Sequence, residues 1–216
     1  MAALSFRHFY EPGAGGESHR TLLALHAAGG GERDLVALAR MVCPVAGILC
    51  PRGRISMGNG WRFYRRLGER VDDIDDLQRG AAQLSAFVGE AAERYGFDPQ
   101  DVVGVGIADG AVTAATMLLA SPEALAGAVL FRGGLPAMPD RLPRLAGTPV
   151  LVSNGLHDRF AAPGDTRRLA ALLRAAGAEV MLAWQQSAHQ LVQADVDGAA
   201  AWFRACVSRR SSARSS

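Results

Sequence analysis

Long apolar runs are missing from this 216-residue chain. The uncharged stretch at residues 110–122 is too short to cross a bilayer, so no membrane segment is expected. Residues 1–10 lack the apolar core and small-residue cleavage site of a secretory signal, which makes a cytoplasmic protein the expectation. Cysteine is scarce: Cys43, Cys50 and Cys206 have neither metal-ligand nor redox spacing and read as buried free thiols in a reducing compartment. Charge of one sign is not in excess either. With 23 basic against 21 acidic residues and a net charge of +2, the chain lacks the electrostatic footprint of a nucleic-acid binder.

What is present is a 49% hydrophobic chain of single-domain length. Short apolar runs bounded by turn signals alternate with amphipathic patterns. Strands are expected at 4–10 (an edge strand), 21–26, 46–50, 102–107, 126–131, 149–153 and 179–184. Helices are expected at 32–42, 73–95, 110–120, 166–176 and 194–207. The helix at 73–95 is the clearest, with Leu77, Ala81, Leu84 and Val88 at three- and four-residue steps. A glycine-rich turn at 12–16, an irregular aromatic segment at 51–67 and a proline-rich loop at 136–143 lie between them. Continuous apolar strands alternating with helices mean parallel strands covered on both faces, so the fold class is α/β, doubly wound, with a mainly parallel sheet. No internal repeat divides the chain. The domain is expected to occupy 1–208, and the small, basic, non-periodic stretch 209–216 to be a disordered tail.

Ligands of such sheets bind beyond the carboxyl ends of the strands, which directs attention to three strand-to-loop junctions. In Gly106-Ile107-Ala108-Asp109-Gly110, glycines stand two before and two after a central residue. That spacing permits a tight strand-to-helix turn that lifts the central side chain above the sheet. In a serine hydrolase the central residue is serine; here it is Ala108. Gly155-Leu156-His157-Asp158 offers a carboxylate, and Ser187-Ala188-His189-Gln190 a histidine, each after its own strand. The order elbow, acid, histidine is that of the α/β hydrolases. His26 reads as a structural anchor rather than a base. The glycines of 104–110 and 29–31 also allow nucleotide-loop readings, but the first is followed by Phe131-Arg132 rather than an acidic ribose ligand. The second lacks a P-loop lysine.

The chain resembles the phospholipase/carboxylesterase-like α/β hydrolases of the dienelactone-hydrolase clan. The segments that carry the likeness are Leu25-His26-Ala27-Ala28-Gly29-Gly30-Gly31-Glu32, Cys50-Pro51-Arg52-Gly53-Arg54, Phe63-Tyr64-Arg65-Arg66, Gly106 to Ala111, and Ser187 to Leu191. The resemblance implies an α/β-hydrolase core without a substantial cap. It also implies a triad in which Asp158 is the acid, His189 the base and Ala108 the vacant nucleophile position, with the amides of Ala28 and Asp109 as the oxyanion hole. Trp61, Phe63 and Arg132 are expected to bind substrate, with Tyr64, Arg65 and Arg66 as further shapers of the mouth. Departures at Ala27, Ala28, Asp109 and Gln190 accompany the alanine and favour natural loss of the nucleophile over a single designed change.

The expected lineage is therefore hydrolysis of small carboxylic esters or acyl groups with no cofactor and no metal, disabled here along the Ser-His-Asp route. The alternative is a natural pseudo-hydrolase that binds a small ligand or a protein. A third use of His189 and Asp158 is base chemistry without a covalent intermediate. The expected partner is a small ester or acyl compound, with no nucleic acid and no membrane; homo-oligomerisation stays open. Ser56, Ser153, Ser187 and Cys50 are weak substitutes for the missing serine, since none has an elbow around it.

Overall fold

The computed structural model describes residues 3–14, 20–68, 71–135, 137–139 and 141–214. The expected turn at 12–16, the loop at 136–143 and the end of the tail lie partly outside them. Seven strands form the main sheet: β1 (His8–Glu11), β2 (Thr21–Leu25), β3 (Gly47–Pro51), β8 (Val102–Ile107), β9 (Gly127–Phe131), β10 (Pro149–Gly155) and β11 (Glu179–Gln185). Their order is β1-β3-β2-β8-β9-β10-β11, and only β1 runs antiparallel to its neighbour.

Alternation along each strand sends successive side chains to opposite faces. In β2, Leu23 and Leu25 join one core while Leu22 and Ala24 join the other. In β9, Ala128 and Leu130 oppose Val129 and Phe131 in the same way. Helices α2 (Ile74–Tyr95), α3 (Asp109–Ala120) and α4 (Pro163–Ala175) cover the first face. Helices α1 (Val36–Val42) and α5 (Gln193–Arg214) cover the second. A sheet buried on both faces explains why its strands read as unbroken apolar runs.

Helix α2 shows how local sequence sets an element's ends. The Asp73 side chain accepts from the Asp76 amide at 3.0 Å, and Gly96 closes the other end in the left-handed region at φ 76°. Its inner stripe buries Leu77, Leu84, Phe87 and Val88, each contributing about 1.5–3 kcal/mol of transfer free energy. Helix α1 starts later than expected, because Asp34 is used by the preceding loop: its Oδ2 accepts from the Gly31 amide at 3.0 Å. The backbone of α5 stays helical to Arg214, past the expected end at 207 and into the stretch expected as a disordered tail.

The segment expected to be irregular holds two small hairpins, β4 (Ile55–Met57) with β5 (Gly60–Arg62), and β6 (Arg66–Gly68) with β7 (Val71–Asp72). Trp61 of β5 exchanges backbone hydrogen bonds with the loop after β2: Gly29 N donates to Trp61 O and Trp61 N to Gly30 O, both at 2.9 Å. Gly60 lies so close to the Gly29 carbonyl that a side chain there would strike it. Among the described residues, the connection from β9 to β10 contains no helix or strand, and no helix is long and apolar enough to cross a membrane.

Candidate active site

The turn between β8 and α3 has an elbow's geometry. Ala108 sits at φ 50°, ψ −114°, a conformation L-residues avoid. Its amide donates to Phe131 O at 2.9 Å, and its carbonyl accepts from Val112 N at 3.0 Å, so strand and helix both pin it. The flanking glycines are sterically required. A Cβ on Gly106 would lie 2.5 Å from the Gly110 carbonyl carbon, and one on Gly110 would collide with the Leu25 carbonyl oxygen. The spacing seen in the sequence is thus the close approach of β2, β8 and α3 written in residues.

The loops after β10 and β11 are stitched together beside this turn. Leu156 N donates to Gln185 O at 2.9 Å, and His157 N to Ser187 O at 3.0 Å. Gly155 packs against the carbonyls of Ser187 and Ala188. The result brings Asp158 Oδ2 to 2.8 Å from His189 Nδ1. The other oxygen of the buried Asp158 accepts from the amides of Phe160 at 2.8 Å and Ala161 at 3.0 Å. A carboxylate only accepts, so Nδ1 carries the proton of this bond. His189 is half-buried, lies 5.0 Å from the Phe160 ring, and lines a cavity of about 700 Å³ together with Ala28, Ala108 and Asp109.

No family model matches the chain. It is 35% identical over 201 residues to the putative hydrolase MhqD of Bacillus subtilis (strain 168), a match covering 93% of this chain and 99% of that protein. A carboxylesterase from Bacillus cereus superposes with a TM-score of 0.90 at 35% identity, over 94% of this chain and 95% of its own. One from Mesorhizobium loti gives 0.86 at 30% identity, over 94% and 97%. The chain belongs to the carboxylesterase-type α/β-hydrolase family.

Within this carboxylesterase-type fold, the expected substrate contacts are redrawn. Trp61 and Phe63 do not line the cavity. Trp61 carries the Arg52 guanidinium 3.9 Å above its ring, and Phe63 is buried against His26 with ring centroids 4.5 Å apart. The neighbouring residues Arg62, Tyr64 and Arg66 make the contacts to Asp109 and the cavity instead. Arg62 Nη2 lies 3.3 Å from Asp109 Oδ2, Arg66 Nη2 donates to Asp109 Oδ1 at 2.9 Å, and Tyr64 and Arg66 line the cavity. Arg66 also holds Asp72 at 2.9 Å, which clips the β6–β7 hairpin to the start of α3. Tyr64 and Arg66 are thus where shapers of the mouth are expected, and Arg62, which the sequence reading missed, is signalled there only by its spacing of two from Tyr64. Arg159, Phe160, Ala161 and Leu135 complete much of the wall.

The Asp109 carboxylate is therefore paired with two arginines where it borders the cavity. Burial pushes its carboxyl above the usual carboxylate range, against the opposing pull of Arg66 and Arg62. As the first residue of α3, its amide lies beyond the reach of the intrahelical ladder. Arg132 touches the cavity wall, but its side chain is fully buried and its Nη groups donate within the protein. Its guanidinium is thus engaged by Asp195, Ser187 and the Gln190 carbonyl rather than left free toward the cavity. His26 is the anchor expected of it: Nε2 accepts from Gly53 N at 2.9 Å while Nδ1 donates to Ala27 O at 2.8 Å. The substitutes for serine are also spoken for. Ser153 Oγ donates to Asp195 at 2.6 Å, Ser187 Oγ accepts from Arg132 at 3.1 Å, and burial pushes the Cys50 thiol up to about 12. Neither these three nor Ser56 lines the cavity.

Proposed function

We propose that the chain is a carboxylesterase-type hydrolase whose cavity receives a small carboxylic ester or acyl compound but does not cleave it by the covalent route. The observation that carries this reading is Ala108 held in elbow conformation in the same cavity as the bonded His189–Asp158 pair. In a form with serine at 108, the hydroxyl would attack the acyl carbon and His189 Nε2 would take its proton. Asp158 would stabilise the imidazolium, and the amides of Ala28 and Asp109 would receive the oxyanion. The methyl of Ala108 has no lone pair to give. Losing the nucleophile from a working triad costs about a million-fold in rate, roughly 8 kcal/mol of transition-state stabilisation. The protein then acts as a pseudo-hydrolase, a binder of the compound its relatives' architecture would cleave.

The test sets this chain beside Ala108→Ser on p-nitrophenyl acetate and butyrate. The expected result is turnover by the serine form several orders of magnitude above that of the alanine form. Silence from both would mean that the cavity no longer presents an acyl group to position 108. Strong turnover by the alanine form would defeat the reading outright.

A further inference from the structure

Arg132 occupies a place where its own backbone is unfavourable. It follows β9 at φ 53°, in the left-handed region, where glycine would sit without strain. Its side chain is nonetheless retained, long, charged and fully buried. What that side chain does is specific. Nη2 donates to Ser187 Oγ at 3.1 Å and to the Gln190 carbonyl at 2.9 Å, so it grips the chain on both sides of His189. The same nitrogen meets Asp195 Oδ2 at 2.6 Å, while Nη1 reaches Asp195 Oδ1 and the Ser153 carbonyl at 3.0 and 3.2 Å. Asp195 in turn accepts from Val192 N at 2.9 Å and from Ser153 Oγ at 2.6 Å. Residues 187 to 195, from the histidine loop into the first turn of α5, are thereby fastened to the ends of β9 and β10.

From this we infer that Arg132 is the positioning residue for His189: its guanidinium holds the histidine loop so that Nδ1 meets Asp158 and Nε2 faces the cavity. The inference rests on the proposed role of His189 as base, but the placement it asserts exists in the chain as it stands. A planar fork is needed, because Nη2 meets Asp195 Oδ2, Ser187 Oγ and the Gln190 carbonyl while Nη1 holds Asp195 Oδ1 and the Ser153 carbonyl, and one ammonium has three donors for these five acceptors. Lysine keeps the charge opposite the buried Asp195 but cannot hold the strand end and the histidine loop at the same time, so the loop is no longer fixed against β9 and β10.

Two measurements test it on the full chain. The first is proton NMR of the alanine form, following the His189 Nδ1 proton, which a bond to a buried carboxylate shifts to low field. Arg132→Lys is expected to lose or broaden that signal while the melting curve still shows a folded protein. An unchanged signal in folded R132K overturns the inference, whatever the serine form does. The second measurement places R132K in the Ala108→Ser background. There kcat should fall about 100-fold, the scale of a misplacement near 1 Å, with KM nearly unchanged. A fall in ester affinity at constant kcat would instead make Arg132 a wall residue and overturn the inference. Should R132K not fold, Ser187→Ala removes one grip with little change of volume. It should weaken the same proton signal and lower kcat several-fold, about what one lost hydrogen bond implies, and no change in either would count against Arg132. If Ala108→Ser itself is inactive, the proposed function fails while the NMR result still decides the role of Arg132.

Discussion

Replacing Ala108 by glycine should make this protein more stable, the reverse of what alanine-to-glycine does almost everywhere else. At φ 50°, ψ −114° the alanine Cβ crowds its own backbone, and a residue held in so sparse a region costs about 1–3 kcal/mol. Glycine removes that strain. Against it stands the larger freedom glycine has in the unfolded chain, about 0.4–1 kcal/mol, and the loss of a methyl that is only partly buried. The difference is a gain of about 1 kcal/mol, which for a chain of this length raises the melting temperature by about 2–4 °C. Ala82, on the exposed face of α2, supplies the contrast. There the same substitution should cost about 1 kcal/mol, because a helix interior offers glycine nothing in return. Thermal and urea unfolding of the parent, A108G and A82G reads both signs. A destabilised A108G would refute the reasoning, since the elbow would then not be strained and its geometry would say nothing of a retained nucleophile turn.

Two further outcomes follow from the site. In the Ala108→Ser background, Asp158→Asn should lower kcat about 10⁴-fold, because the amide no longer enforces the Nδ1–H tautomer of His189; a loss under tenfold would take Asp158 out of the triad. His26 makes stability pH-dependent. Burial holds its imidazole below the ordinary value, although the Ala27 carbonyl and the carboxylates of Asp34, Glu32 and Asp109 pull the other way. The unfolded chain therefore binds the proton first, so this contribution is present above about pH 6.5 and is lost as pH falls through the folded value. The urea midpoint should drop on acidification from neutrality, and less so in His26→Gln, which can still accept from Gly53 N; equal drops would assign the dependence to other groups.

The main sheet and its helices were legible because each obeys a single period: the strands run apolar between turn residues, and α2 repeats every three to four residues. The elbow was legible because two close backbone approaches demand glycine at 106 and 110. Asp158 and His189 followed from strand order. The hairpins of 55–72 were not, since strands of two or three residues are too short to show a pattern. There the pattern marks aromatics and arginines together and does not separate Trp61 and Phe63, which pack elsewhere, from Tyr64 and Arg66, which line the cavity, nor does it single out Arg62 beside Asp109. Arg132 reads as a substrate contact because it follows a strand at the carboxyl edge of the sheet. Its actual partner, Asp195, is 63 residues away, and no local pattern announces a contact at that range.

The pairing of Trp61 with Gly29 and Gly30 has a consequence for how this lineage can change. Through it, the loop that carries Ala28 behaves as one more rung of the small β4–β5 ribbon, and its height above the main sheet follows the ribbon's register. A residue gained or lost near Gly58 would shift that rung and move the Ala28 amide without altering any side chain that borders the cavity. The ribbon is a tuning peg for the site, set at a distance from it. Variants that differ in reactivity while sharing every wall residue are most economically sought in the length of that turn.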